Sequence, residues 1–342
     1  MNNLLKKISE LTLENLLKEY PIAEDYLANI RLSGISREKT FADALADVSE
    51  DSLEEFGLTR EEAVEHLCSF LAAFENDSTA GKRNITSLTI LGGHNKSKIP
   101  ETAELTIYQG EIISIVGPTG SGKSRLLEDI ECLAQRDTPT GRQILINGSV
   151  PDEEWRFSTG GKLVAQLSQN MNFVMDLTVR EFLVMHAKSR LVSNVDEVAE
   201  KCFACANGLA GEKFTKDTKV TQLSGGQSRA LMIADTALMS SSPIILIDEI
   251  ENAGIDRRKA IELLAGNEKI ILMSTHDPLL ALRGDKRIVI SNGGIAKIIE
   301  TTDAERSSLF RIEKIDNVLQ DMRNKLRFGE SITEDMIPNL EN

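Results

Sequence analysis

Eight consecutive residues, Gly117-Pro118-Thr119-Gly120-Ser121-Gly122-Lys123-Ser124, set three glycines beside a lysine and a hydroxyl. Glycines at this spacing let backbone amides turn inward around phosphate oxygens, and a helix starting at the lysine adds its positive end. Lys123 is placed to reach the β- and γ-phosphates of a nucleotide, and Ser124 to ligate Mg²⁺. Far along the chain, the apolar run Ile244-Ile245-Leu246-Ile247 ends in Asp248-Glu249, two carboxylates at a strand tip. Asp248 suits a water-mediated hold on Mg²⁺, and Glu249 suits the polarising of an attacking water. Together these residues suit hydrolysis of a nucleoside triphosphate.

Such groups need a rigid frame. Ile112-Ile113-Ser114-Ile115-Val116 reads as a buried strand running straight into the glycine loop, and Leu126, Leu127 and Ile130 mark an apolar helix face after it. Ala103, Leu105 and Ile107 alternate with Glu104, Thr106 and Tyr108, the pattern of a half-buried strand. Ile144-Leu145-Ile146 precedes an Asn147-Gly148 turn, and Ile270-Ile271-Leu272-Met273 and Arg287-Ile288-Val289-Ile290 are further strands. Residues 178–240 read mainly as helix. Strands alternating with helices predict an α/β domain with a largely parallel sheet over residues 84–302, with a helical subdomain at about 172–232. Leu309, Ile312, Ile315, Leu319, Met322 and Leu326 predict one amphipathic helix in a C-terminal segment, 303–342.

Residues 1–76 have a different character. Thr12 opens a helical run that Pro21 closes, and Thr40 with Asp43 fits another helix start. Thr59 and Glu62 form a T-x-x-E capping box ahead of a stripe of Val64, Leu67, Phe70, Leu71 and Phe74. A small all-α domain is expected, joined through a linker at 77–83. The chain has a net charge of −14, and residues 1–80 hold seven Lys and Arg against seventeen Asp and Glu. An acidic balance of this size argues against a nucleic-acid-binding face. No apolar run reaches the ~20 residues of a membrane-spanning helix, and the N-terminus has no signal-peptide pattern. The expected location is therefore cytoplasmic, or the inner face of a membrane through a partner. Four cysteines do not make a disulfide framework; Cys202 and Cys205 read as two small helix residues rather than half a metal site.

Residues 223–227 read Leu-Ser-Gly-Gly-Gln. With the glycine loop and the Asp-Glu strand end, this set resembles the ATP-binding cassette (ABC) ATPases over residues 84–300. The resemblance implies a P-loop fold that binds ATP and Mg²⁺ and hydrolyses ATP in a head-to-tail dimer. It implies that Ser224, Gly225, Gly226 and Gln227 cap the γ-phosphate held by a second copy, and that His276 after Thr275 contacts the same phosphate. It further implies that Gln169, nine residues before Thr178-Val179, is the glutamine that senses the Mg²⁺ site, in preference to Gln166. Asp256 is similar to the aspartate at the family's dimer seam.

The departures from the family pattern are local. His94 stands where the family stacks an aromatic ring on adenine, and Arg125 follows Ser124 where a small hydroxyl residue is usual. Ile250 replaces the proline common after the Asp-Glu pair, and Asp256 lies seven residues beyond Glu249, one more than usual. Two roles are compatible with the set: the ATP-binding subunit of a transporter whose spanning subunits are separate permease chains, or a soluble ATPase that remodels, activates or loads a cytoplasmic client such as a metalloprotein. A chromosome-associated role is disfavoured by the acidic balance and the lack of a coiled-coil insertion. The N-terminal segment, with TLENLLKEYPIAEDYL and EEFGLTREEAVEHL, resembles a small helical domain found in anaerobe proteins. It lacks that domain's paired cysteines between Leu27 and Arg37, so an acidic docking module is the expectation.

Overall fold

The computed structural model describes residues 2–20, 22–32, 34–54, 56–80, 84–157, 162–168, 173–190, 192, 194–250, 254–266 and 268–333. They fall into two units, Met1–Arg83 and Asn84–Asn342. The first unit is all helix: α1 (Asn2–Glu10), α2 (Leu13–Glu19), α3 (Ala23–Asn29), α4 (Phe41–Leu45), α5 (Glu50–Glu54) and α6 (Arg60–Ala80). Thr12 and Thr40 cap α2 and α4 by accepting the amides of Asn15 and Asp43. Thr59 and Glu62 exchange the two bonds of the capping box. Leu13, Leu16, Phe41, Leu45, Leu67 and Leu71 form the buried centre. Helix α6 continues to Ala80, through residues read as linker, because no glycine or proline interrupts it before Gly81. Pro21 and residues 81–83 lie outside the described residues.

The second unit is built on two sheets. Strands β1 (Ser87–Leu91), β2 (Glu104–Tyr108) and β4 (Gln143–Ile146) form an antiparallel sheet in the order β2-β1-β4. The larger sheet has the order β5-β6-β7-β3-β8-β9, with β3 (Ile112–Val116), β5 (Val164–Leu167), β6 (Ile244–Asp248), β7 (Ile270–Ser274), β8 (Lys286–Ser291) and β9 (Gly294–Glu300). The first five strands of that order are parallel; β9 closes the edge antiparallel to β8. Strand β6 is buried along both faces, as its unbroken apolar run requires. Its Ile244 and Leu246 pack with α7 (Lys123–Glu131) and the small sheet, while Ile245 and Ile247 pack with helices on the other side.

That second layer contains α9 (Val179–Ser189), α10 (Val195–Leu209), α11 (Gly225–Met239) and α12 (Arg257–Ala265). The short α8 (Glu153–Phe157) precedes β5, α13 (Pro278–Arg283) follows β7, and α14 (Asp303–Arg327) is the last described element. Helix α9 starts at a full capping box, Thr178 with Glu181. Helix α11 runs unbroken to Met239, and a short extended segment then leads into β6, so the helical subdomain shares one helix with the sheet domain. Strands β1, β5 and β9 have no counterpart among the strands expected from periodicity. Among the described residues no helix is long and apolar enough to cross a membrane.

Candidate functional site

Three of the parallel strands deliver their following residues to the same edge of the sheet. Strand β7 lies between β6 and β3, with Asp248 opposite Ser274 and Ile115 opposite Ser274. The glycine loop after β3, Asp248-Glu249 at the end of β6, and Thr275-His276 after β7 therefore converge where parallel α/β sheets bind ligands.

Within the loop, Pro118, Thr119 and Gly120 are exposed, while Ser121 and Lys123 are buried. Gly122 is the residue before α7 and has φ +109°. A Cβ there would lie 2.9 Å from the Cα of Gly293, so the loop requires glycine at this point. Lys123 Nζ donates to the carbonyls of Gly117 at 2.9 Å and Pro118 at 3.4 Å. Among the described residues no carboxylate pairs with it. A buried ammonium held only by loop carbonyls at a helix N-terminus fits an anion such as a triphosphate. Ser124 Oγ donates to Asp248 Oδ2 at 3.2 Å, which brings together the two oxygen ligands expected for Mg²⁺. No three His, Cys, Asp or Glu residues converge as metal ligands among the described residues. A magnesium ion here would thus draw its remaining ligands from phosphates and water, as is usual for that ion.

Glu249 takes the left-handed backbone conformation, φ +50°, which costs a non-glycine residue on the order of 1 kcal/mol. Its amide donates to the carbonyl of Ser274 at 3.0 Å, and its carbonyl accepts from Arg229 Nη1 at 3.0 Å. Arg229, nearly buried on α11, also donates to the carbonyl of Ser168 at 3.4 Å. One guanidinium thus ties α11 to the backbone of the acidic strand end and to the residue before Gln169. Gln169 itself lies outside the described residues. Thr275 is fully buried, its amide on the carbonyl of Ile115, and it presents His276 at the surface beside the loop strand.

Ser224 caps α11. Its Oγ accepts the Gln227 amide, and the Gln227 side chain returns a bond to the Ser224 amide at 2.9 Å. Gln227 also donates to the carbonyls of Glu212 and Lys213, fixing the preceding loop. Ser224 and Gly225 are exposed, and among the described residues no hydrogen bond joins them to the glycine loop of the same chain. Asp256 caps α12 by accepting the Lys259 amide at 3.1 Å. Burial opposes its charge, yet the Lys259 amide and ammonium hold its carboxyl below the ordinary range. Arg125 is exposed and pairs along its own helix with Glu128 at 2.6 Å. His94 is half-buried next to Gly141, its amide on the carbonyl of Thr140. Cys202 is buried in the helical layer, which pushes its thiol well above the ordinary range.

Sequence reasoning missed the supports of the loop. Lys96 Nζ donates to the Gly120 carbonyl at 2.8 Å, and the Gly293 amide to the Ser121 carbonyl at 2.6 Å. Behind them is a buried ionic cluster. Arg142 is fully buried and bonds Glu101 at 2.6 and 3.0 Å, Asp129 on α7 at 2.9 Å, and the Gly293 carbonyl at 2.8 Å. Glu101 also accepts the amides of Gly93 and Ile295. Burial works against its charge, but Arg142 and these amides hold its carboxyl below the ordinary range. Its stabilising contribution is therefore complete above its unfolded pKa and lost as pH falls through the lower folded one. Arg142→Met leaves two buried carboxylates uncompensated, with an expected loss of about 3–5 kcal/mol. Urea unfolding of both forms checks this; a variant within about 1 kcal/mol of the parent refutes it.

Comparison with known proteins then gives the following. Residues 101–252 match the family model described as "ABC transporter". An uncharacterized ABC transporter ATP-binding protein of Methanocaldococcus jannaschii is 56% identical over 257 residues, which are 74% of this chain and 97% of that protein. The macrolide export ATP-binding/permease protein MacB of Psychrobacter cryohalolentis is 31% identical over 227 residues; the match spans only 32% of that longer protein. Among solved structures, the dimeric post-hydrolysis state of the ATP-binding cassette MJ0796 bound to ADP and Pi superposes with a TM-score of 0.51. It has 25% identity and covers 63% of this chain and 99% of that one.

Proposed function

The chain belongs to the ABC transporter family of ATP-binding proteins, and from that premise we propose that it is the ATP-binding subunit of a membrane transporter. It is an ATP hydrolase. Residues 117–124 cradle the triphosphate, Lys123 neutralises the β- and γ-phosphates, and Ser124 and Asp248 hold Mg²⁺, which when bound offsets phosphate charge. Glu249 accepts the proton of the attacking water, His276 contacts the γ-phosphate, Gln169, outside the described residues, is the glutamine that would sense the Mg²⁺ site, and His94 lies against the adenine.

One observation carries this reading. The catalytic groups gather at one sheet edge, while the capped Ser224-Gly225 turn is exposed and, among the described residues, makes no hydrogen bond to that edge in its own chain. The site is half a site. A second copy related by two-fold symmetry completes it, so two ATP molecules join two chains head to tail. The cassette MJ0796 is described as dimeric with ADP and Pi, which supports the arrangement. Hydrolysis removes charge that both halves share, and the pair opens. A separate permease chain on the membrane receives that motion, and the acidic N-terminal unit is a docking module for a partner protein. The test is affinity purification of the full chain from detergent-solubilised membranes. The expected result is a polytopic membrane protein in stoichiometric yield; recovery solely with a soluble client overturns the transport role.

A further inference from the structure

His276 is held by its neighbours on either side. Thr275 before it is fully buried, with its amide on the Ile115 carbonyl, and its Oγ1 accepts the Asp277 amide at 3.0 Å. Asp277 after it divides its carboxylate between two tasks. Oδ1 accepts the amides of Leu279 at 2.8 Å and Leu280 at 3.2 Å, and so caps α13. Oδ2 accepts from Arg257 Nη1. The far end of the His276 turn is thus fixed by a carboxylate whose second oxygen is held by a guanidinium from another element.

Arg257 is the first residue of α12, directly after the helix-capping Asp256. Its Nη2 donates to Asp316 of α14 at 3.0 Å. One planar group therefore joins the start of α12, the His276 turn and α14. The Arg257 and Asp277 side chains are only 20% and 12% exposed, so this is not the weak ion pair of an open surface. A guanidinium presents two forked nitrogens to two carboxylates at once, whereas an ammonium is a point charge without that fork. Arg283 on α13 offers a contrast. It is 19% exposed and pairs with Glu313 of α14 at 2.5 Å, but among the described residues it has no bond to Asp277. Two arginines of equal burial thus brace the same pair of helices, and one of them grips the turn.

We infer that Arg257 is a positioning residue for ATP hydrolysis: through Asp277 it sets the His276 turn against the start of α12, while Asp316 of α14 holds its guanidinium in that orientation. The inference rests on the reading of His276 as a γ-phosphate contact and adds the brace that keeps the imidazole in place. A turn displaced by a fraction of an ångström takes the imidazole off the γ-phosphate and leaves the phosphate loop untouched. The chemical step then suffers more than nucleotide binding.

The test is steady-state ATP turnover of the full chain. Arg257→Met should lower kcat roughly tenfold while KM for ATP stays within about twofold of the parent. Arg257→Lys keeps the charge without the fork and should recover part of that loss. Asp277→Asn retains a helix-capping side chain and should cost as much as Arg257→Met. The double variant should be no slower than either, because both break one link. Arg283→Met loosens the same helices without touching the turn and should stay within about twofold of the parent in kcat. The positioning role is overturned if Arg257→Met turns over like the parent or like Arg283→Met, or if the losses multiply in the double variant. Should Arg257→Met fail to fold, Asp277→Asn decides against the same control, and equal turnover of those two overturns the role. Glu249→Gln separates this from the site reading. If Glu249→Gln is as fast as the parent, the catalytic assignment itself fails. If it is slow and Arg257→Met is not, only the role of Arg257 falls.

Discussion

Glu249→Gln is expected to slow ATP turnover by on the order of 10³-fold, within the range that general-base removal costs, while ATP binding persists. The substitution keeps the size of the side chain and its ability to orient a water, but the amide cannot take the proton. The backbone there is over-determined: the amide on Ser274, the carbonyl on Arg229 and a left-handed φ all remain with glutamine in place. Folding stability should therefore be close to that of the parent, which separates lost chemistry from lost structure. Because the γ-phosphate that joins the two halves is no longer removed, the variant should accumulate as a dimer with ATP and Mg²⁺ and return to monomer when ADP replaces ATP. Phosphate release and sedimentation measure both. Turnover near that of the parent would move the base elsewhere, and a monomer at high protein and ATP concentrations would remove the sandwich itself.

The parts of this site that could be read from the sequence are those encoded by neighbours along the chain. Eight consecutive residues specify the loop, a capped run of five specifies the exposed turn at Ser224, and an apolar strand ending in two acids specifies Asp248 and Glu249. The supports were not legible, because their partners lie far apart in sequence. Arg142 joins Glu101, Asp129 and Gly293, and nothing in the residues around Arg142 marks it as buried. Arg229 follows the Leu-Ser-Gly-Gly-Gln run by two residues, yet its targets are backbone carbonyls of Ser168 and Glu249, which leave no side-chain signal. Strand β9 and the turn that pins the loop did leave one. Asn292-Gly293 after the strand of Ile288 and Ile290 is a strong hairpin signal, with φ +48° and +80° as a two-residue primed turn requires. The linker reading of 77–83 overlaps the end of α6 at Ala80, because polar composition there is compatible with a solvated helix end as well as with a loop.

Mixing two inactive variants should restore activity that neither possesses, and this is the strongest consequence of a site divided between chains. Lys123→Met removes the buried ammonium that the loop carbonyls hold ready for the phosphates. Ser224→Arg destroys the helix cap at the exposed turn and fills the place where a γ-phosphate would sit. Each homodimer then has two broken sites, and turnover should fall by on the order of 10²-fold or more, the scale of losing a phosphate-stabilising group. In a mixed dimer both defects fall in the same site. The other site has an intact loop from the Ser224→Arg chain and an intact turn from the Lys123→Met chain. With equal amounts of the two, half of the dimers are mixed and each has one complete site of two, so roughly a quarter of the parent turnover should return. A smaller but measurable recovery would show that turnover at one site depends on the state of the other. No recovery, with mixed dimers demonstrated by differently tagged chains, would mean that Ser224 serves the nucleotide of its own chain.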